Sequence, residues 1–262
     1  MPTQQAKPVV MCFSGHDPSG GAGLQADIEA IAAQGAHAST IITALTTQNS
    51  HDVLSLTPLS SEQIQAAAEP VLRDFTVSTF KIGLLGSVEA VMAVAQLITD
   101  YQPLRVILDP VLAAGGGTDV ASEDLIAAIN DWLLPLTTII TPNTEEARRL
   151  TGQHDLADCA DALRAKGCLS VLITGTHEAE TQHKQTVTHR LYSANNTEMF
   201  SQPYLDGHYH GSGCTLASAI AAQLALGEDI HSAVASALDY THASLRAAEQ
   251  LGEGQAIPSR IS

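Results

Sequence analysis

The residues best suited to chemistry lie between Gly207 and Ala222, in Gly-His-Tyr-His-Gly-Ser-Gly-Cys-Thr-Leu-Ala-Ser-Ala-Ile-Ala-Ala. Before Gly213 the composition is that of a loop. After it comes an unbroken helix-forming run rich in Ala and Leu. Gly211, Ser212 and Gly213 therefore fall where a loop becomes a helix N-terminus. Small residues there let the backbone bend tightly and turn several N–H groups outward. Those unpaired donors, with the positive end of the helix dipole, form a site for an anion. Cys214 stands in the first turn. There the thiolate form of a thiol is favoured, and it can serve as a base near neutral pH. An anion hole beside an activatable group is what phosphoryl transfer needs. The same residues also suit a plain Gly-rich turn followed by a buried Cys.

The elements that must position this stretch alternate. Apolar runs at Val9–Ser14, Ser39–Leu45, Thr79–Ile82, Arg105–Leu108, Thr138–Thr141 and Ser170–Thr174 read as strands. Helices are expected over Leu24–Gln34, Ser60–Asp74, Val88–Asp100, Ser122–Trp132, Asn143–Leu150 and Leu156–Lys166. Ser60 with Gln63, and Asn143 with Glu146, have the spacing of capping pairs. Short, wholly apolar strands alternating with helices predict a mostly parallel α/β sheet with helices on both faces. From Thr186 to Ser201 polar alternation predicts a small antiparallel β hairpin turning at Ala194–Asn196. Two helices, Cys214–Leu226 and Asp229–Leu251, close the chain, and Gly-Glu-Gly beyond them reads as a frayed tail. All 262 residues fit a single domain.

In such sheets ligands bind beyond the carboxyl ends of the strands. Gly15–Gly23, Thr46–Asn49, Gly83–Gly86, Asp109–Gly117, Pro142–Glu146, Thr174–His177 and the Cys214 loop would all fall at that edge. Asp109 and Glu146 are oxygen-ligand candidates for a magnesium ion bridging nucleotide phosphates. Gly21-Ala22-Gly23-Leu24-Gln25-Ala26 matches a dinucleotide fingerprint. However, the second strand ends in Leu45-Thr46-Thr47-Gln48, without the acid that a ribose requires. His208, His210 and Cys214 lack a complete zinc set at standard spacing, so solvated loop histidines are expected. His177, His183 and His189 lie in a polar stretch and read as surface residues.

The net charge of −16 leaves no basic footprint for nucleic acid or an anionic membrane. An anionic substrate must be held by backbone donors, a metal or a few local cations. The four Cys make no CxxC pair, and the first residues have no apolar signal core. A reducing, cytoplasmic setting is expected.

Taken together, Gly15-His-Asp-Pro-Ser-Gly-Gly-Ala-Gly23 with Gln25-Ala-Asp27, Thr43-Ala-Leu-Thr-Thr-Gln-Asn49, Lys81-Ile-Gly-Leu84, Leu108-Asp-Pro-Val111, Thr141-Pro-Asn-Thr-Glu-Glu-Ala147 and His210-Gly-Ser-Gly-Cys-Thr-Leu216 resemble the hydroxymethylpyrimidine/phosphomethylpyrimidine kinases of thiamin biosynthesis. The resemblance spans nearly the whole chain. It implies a ribokinase-like fold, usually a homodimer. It also implies ATP and Mg2+ as cofactors and successive phosphorylation of an aminopyrimidine alcohol and its monophosphate. It makes Cys214 the base beside the Gly211, Ser212 and Gly213 anion hole. It puts Gln48 on the pyrimidine ring, and Gly15, Asp27, Leu84 and Val111 around it. Asn143 and Thr174 fall at the nucleotide, and Asp109 and Glu146 at the metal. Three stretches depart from the family pattern. Leu112-Ala-Ala-Gly-Gly-Gly117 follows Val111, Thr174 stands where a Lys is usual, and Tyr-His-Gly-Ser-Gly-Cys replaces Thr-His-Gly-Thr-Gly-Cys. A pyridoxal kinase of the same branch and a non-catalytic vitamin-precursor binding protein are the other readings.

Overall fold

The computed structural model describes residues 6–113, 115–175, 185–194 and 196–261. The chain begins β1 (Val9–His16), α1 (Gly23–Ala33), β2 (His37–Gln48), β3 (Val53–Pro58), α2 (Ser61–Asp74), β4 (Val77–Ile82) and α3 (Val88–Tyr101). It continues β5 (Arg105–Leu108), α4 (Glu123–Ala128), β6 (Ile139–Ile140), α5 (Thr144–Thr151), α6 (Leu156–Ala165) and β7 (Ser170–Ile173). A hairpin of β8 (Thr186–Tyr192) and β9 (Thr197–Pro203) precedes α7 (Ser212–Ala225) and α8 (Ile230–Arg246). The strands form one sheet in the order β3-β2-β1-β4-β5-β6-β7-β8-β9. Pairing is parallel from β2 to β7 and antiparallel at both ends.

The strands are apolar on both faces because both faces are covered. In β1, Met11 and Phe13 join the core shared with α2 to α6, while Val10 and Cys12 face α1, α7 and α8. The expected capping pairs are present. Ser60 Oγ accepts from the Gln63 N–H, and Asn143 Oδ1 accepts from Glu145 and Glu146. Gln63 and Glu146 return the bond to the backbone N–H of their caps. Each satisfies donors that the first helical turn leaves open.

Several elements differ from expectation. Residues 53–58 form an added edge strand, β3, opposite the end of β2. Its side chains are mostly in solvent, Leu54 at 74% exposure, so no buried alternation marks it in the sequence. The helix expected over Ser122–Trp132 passes into a π turn at Ile129–Leu133. His189 is buried within β8, not on the surface, and burial lowers its pKa to about 4. His177 and His183 lie outside the described residues, as do Thr176 and the hairpin's Asn195. The final helix ends at Arg246, and the tail beyond it is tied down rather than frayed. Glu249 and Ile257 exchange backbone hydrogen bonds, Gln255 N–H donates to Ser50, and Ala256 pairs with His208 and His210.

One ion pair crosses the core between the sheet and its α1/α7 layer. Lys81 of β4 donates to Asp27 Oδ1 of α1 at 2.8 Å, with both side chains fully buried. Ser14 of β1 and Ser218 of α7 also donate to Asp27, each at 2.7 Å. Burial works against the Lys81 charge, but Asp27, and then Cys214 and Asp109, outweigh it and hold the ammonium well above its ordinary pKa. Removing one partner strands the other without water. Lys81→Met should cost about 3–5 kcal/mol in urea denaturation, and Lys81→Met with Asp27→Asn should recover much of the loss. A single variant as stable as the parent would show that the pair contributes nothing to the fold.

Candidate active site

Because β1, β2 and β4 to β7 run parallel, the loops that leave them share one edge of the sheet. Onto that edge α7 presents its N-terminus. Gly211 is its N-cap, at φ 79°, and no side chain caps the turn. The first internal bond is the Thr215 N–H to the Gly211 carbonyl, so the N–H groups of residues 212–214 have no acceptor within the helix. A Cβ on Gly211 would overlap the carbonyl oxygen of Gly21, so glycine is needed for space as well as for φ. The N-terminus of α1 lies against the same turn and also lacks a side-chain cap. The helices α2 to α6 and α8 each have one. Two helix N-termini thus meet at one place; at α1 the Ala22 and Gly23 N–H groups are already turned to Asp17 and Cys214, and the open donors of α7 can attract an anion.

The loop between β1 and α1 is organised by Asp17, which is nearly fully buried. Its carboxylate accepts from Ser19 N–H and Oγ, from Ala22 N–H, and from His210 Nε2 at 2.8 Å. Burial would raise its pKa, but hydrogen bonds from His210, Ser19 and Gln48 outweigh it and hold the group far below the usual carboxylate range. The acceptor is therefore ionised, and His210 must be the donor. This corrects the expectation of a solvated His210. The residue is buried and joins the loop before α7 to the loop before α1. Sequence reasoning passed over Asp17 because an Asp before Pro in a Gly-rich loop reads equally well as turn chemistry.

Cys214 lies among charges. Its pKa is pushed up to about 12, first by burial and then by Asp109, and Lys81 offsets this only in part. The expected resting thiolate is thus corrected to a thiol, which hydrogen-bonds Asp109. The helix terminus favours the anion, but desolvation and a neighbouring carboxylate prevail. Asp109 itself is raised by burial, eased by Lys81 and by Cys214. Its Oδ2 is buried without a hydrogen-bond partner. Glu146, beyond β6, is raised to about 8 by burial and then by Asp109. One Glu146 oxygen caps Asn143 N–H at 2.9 Å and the other accepts from Leu112 N–H at 3.4 Å.

The remaining candidates fall into two groups along the same edge. Gly15 lies near the end of β1, Leu84 and Val111 follow β4 and β5, and the Leu84 side chain packs over Gly15. Gln48 ends β2, half-buried, with its amide directed to Asp17. Asn143 and Thr174 are brought together by a parallel bridge between their backbones. Asp27 is placed differently from a pocket-lining residue. Both its oxygens are engaged by Lys81, Ser14 and Ser218, and it has no exposed surface.

A family model described as phosphomethylpyrimidine kinase matches residues 17–259. The chain belongs to that family. It is 34% identical over 251 residues to the hydroxymethylpyrimidine/phosphomethylpyrimidine kinase of Haemophilus influenzae, covering 94% of this chain and 93% of that one. An ADP complex of Bacillus subtilis pyridoxal kinase superposes with a TM-score of 0.89 at 27% identity, covering 97% of this chain and 98% of that one. The phosphomethylpyrimidine kinase of Clostridium difficile gives 0.79 at 30% identity, covering 91% and 100%. The fold is ribokinase-like, and the phosphomethylpyrimidine kinase family is one of phosphotransferases.

The Glu146 shift sets a pH dependence. Its folded pKa of about 8 exceeds its ordinary 4.5, so the unfolded chain gives up this proton first as pH rises. Stability of the ligand-free protein should therefore fall between about pH 5 and about pH 8. Glu146→Gln keeps the cap but should flatten that fall, as read by urea denaturation at both pH values. Parallel profiles for parent and variant would show that Glu146 is ionised throughout.

Proposed function

We propose that this chain transfers the γ-phosphoryl of ATP to 4-amino-5-hydroxymethyl-2-methylpyrimidine and then phosphorylates the monophosphate, as a step in thiamin biosynthesis. The observation that carries the reading is the meeting of two uncapped helix N-termini at Cys214, in a chain matched to this family over nearly its whole length. In the Gly211-Ser212-Gly213 turn, the backbone N–H groups of Ser212, Gly213 and Cys214 would hold the moving phosphoryl group. Such donors are already in place and need no reorganisation during reaction. Asn143 and Thr174 would adjoin the nucleotide, while Gly15, Leu84, Val111 and Gln48 would surround the ring. An amide that donates and accepts at once matches an aminopyrimidine edge. Asp27 would act from behind, by fixing Lys81.

The residues present fit a magnesium ion. Asp109 has an orphaned buried oxygen, its own proton affinity is raised by burial, and its charge in turn helps to raise that of Glu146. That is the mark of negative charge awaiting a cation. Among the described residues no three His, Cys, Asp or Glu are grouped to hold a metal ion alone, so phosphate oxygens and water would complete the shell. When bound, the ion would neutralise charge on the nucleotide phosphates. Positive charge against Asp109 also weakens the second cause that keeps Cys214 protonated, which readies the thiol as a base.

Among the described residues no helix is long and apolar enough to cross a membrane. A cytoplasmic homodimer acting on a small molecule is the form we propose. The deciding test is a coupled assay with the pyrimidine alcohol and Mg-ATP. Two ADP released per pyrimidine support the reading, and no release contradicts it. Pyridoxal phosphorylation is the second reading, favoured by the likeness to the Bacillus subtilis pyridoxal kinase. The two alcohols assayed side by side separate them, and ATP turnover with either excludes a purely binding role.

Gln48→Ala should leave an unpaired polar edge on the ring and weaken pyrimidine binding by about 1–3 kcal/mol in calorimetric titration. ATP binding should hardly change. Unaltered pyrimidine affinity would remove Gln48 from the site.

Cys214→Ala should separate the two phosphorylations. The first nucleophile is an alcohol whose proton must leave, where a positioned base contributes ~10²–10⁴-fold. The second is a phosphate monoester with a second pKa of about 6, already largely ionised at neutral pH. Turnover on the alcohol should therefore fall far more than turnover on the monophosphate. Equal losses would mean that Cys214 only shapes the anion hole.

A further inference from the structure

The tail after α8 carries Arg260 against the first turns of α1 and α7. Arg260 is only 2% exposed, which is unusual for a guanidinium in a chain of net charge −16. Its three nitrogens are all used. Nε donates to Thr215 Oγ1 at 2.8 Å, Nη1 pairs with Glu29 at 3.1 Å, and Nη2 donates to the Gly21 carbonyl. Thr215 in turn donates its hydroxyl to the Gly211 carbonyl at 2.8 Å. The guanidinium thus reaches one carbonyl directly and a second through a hydroxyl. Gly21 lies in the turn that opens α1, and Gly211 caps α7.

Tethering the tail does not require this head group. The segment is already held by backbone bonds from Ala256 to His208, from Ile257 to Glu249 and from Ser259 to Ser244. Tyr240 Oη also donates to the Arg260 carbonyl at 2.8 Å. What the guanidinium adds is a direct hold on the Gly21 carbonyl and, through Thr215 Oγ1, support for the second bond on the Gly211 carbonyl, which the Thr215 N–H already engages. A carbonyl turned toward an anion repels it, and charge-assisted bonds hold such a group away. We propose that Arg260 is a positioning residue for phosphoryl transfer, keeping the carbonyls of Gly21 and Gly211 turned back so that the open N–H groups of the α7 terminus stay aimed at one anion. This rests on the assignment of phosphoryl transfer to the α7 terminus, whichever alcohol is the substrate.

Four variants test it in the full-length protein with saturating Mg-ATP. Arg260→Met keeps the apolar stem and should lower kcat roughly 10–100-fold, the range that small misplacement of catalytic groups produces. The affinity for the pyrimidine, measured by calorimetry, should stay within about twofold, because no contact to the ring is removed. Thr215→Val is nearly isosteric and cuts only the relay, so it should lower kcat several-fold while the protein still folds. Arg260→Lys restores the charge without the fork and should recover part of the loss. The double variant Arg260→Met/Thr215→Val should be no slower than Arg260→Met alone, because both act along one path. The proposal is overturned if folded Arg260→Met keeps kcat within threefold of the parent. It is also overturned if Thr215→Val turns over normally, if the single losses multiply, or if the loss appears only as a raised KM. Should Arg260→Met not fold, Thr215→Val alone decides. A parent enzyme that phosphorylates pyridoxal and not the pyrimidine would sink the substrate reading, and the same variants would then be read on pyridoxal.

Discussion

A charge moved out of water must find its answer within a few ångströms, and the edge of the sheet around the first turn of α7 is arranged by that demand. Lys81 answers Asp27, helped by Ser14 and Ser218. His210 answers Asp17. Arg260 is answered by Glu29, by Thr215 and by a carbonyl. These partners lie on β1, α1, β4, α7 and the tail, so satisfying them fixes elements far apart in sequence. Asp109 is the exception. One of its oxygens has no partner, and its own proton affinity, that of Glu146 and that of Cys214 all rise. On the proposed function, that oxygen is where a cation would enter.

The acidity of the chain suits the anion holder we propose. With Thr174 in place of a lysine and the cations Lys81 and Arg260 enclosed behind the site, few positive side chains remain to meet phosphate directly. The donors left are backbone N–H groups at the α7 terminus. They act at short range and lose their aim if a peptide rotates. Their value therefore depends on the packing behind them, where Gly211 must pass the Gly21 carbonyl with no Cβ between them.

Much of this was legible locally. Apolar strand runs, the Ser60–Gln63 and Asn143–Glu146 caps, and the Gly-Ser-Gly turn before Cys214 are signals contained within a few residues. The fold class and the loops that share an edge follow from them. What was not legible depends on distant partners. Asp17 meets His210 across 193 positions, and Arg260 meets Gly21 across 239. Nothing in Pro-Ser-Arg near the end of the chain announces the second contact. β3 was missed because its side chains face solvent, and His189 because polar neighbours concealed a buried position. The thiolate expected at Cys214 came from a sound local rule. Burial and the charge of Asp109, neither visible in sequence, reversed it.

The central claim is that the anion hole is already formed before ligands arrive, held by buried charge rather than assembled on binding. A crystal structure with magnesium, a non-hydrolysable ATP analogue and the pyrimidine tests it most directly. The account predicts the γ-phosphate within hydrogen-bond reach of the N–H groups of residues 212–214, the metal on Asp109, and Asp17, His210 and Arg260 bonded as they are here. A γ-phosphate bound away from that turn, or a loop 207–213 rebuilt with those three contacts broken, would contradict it.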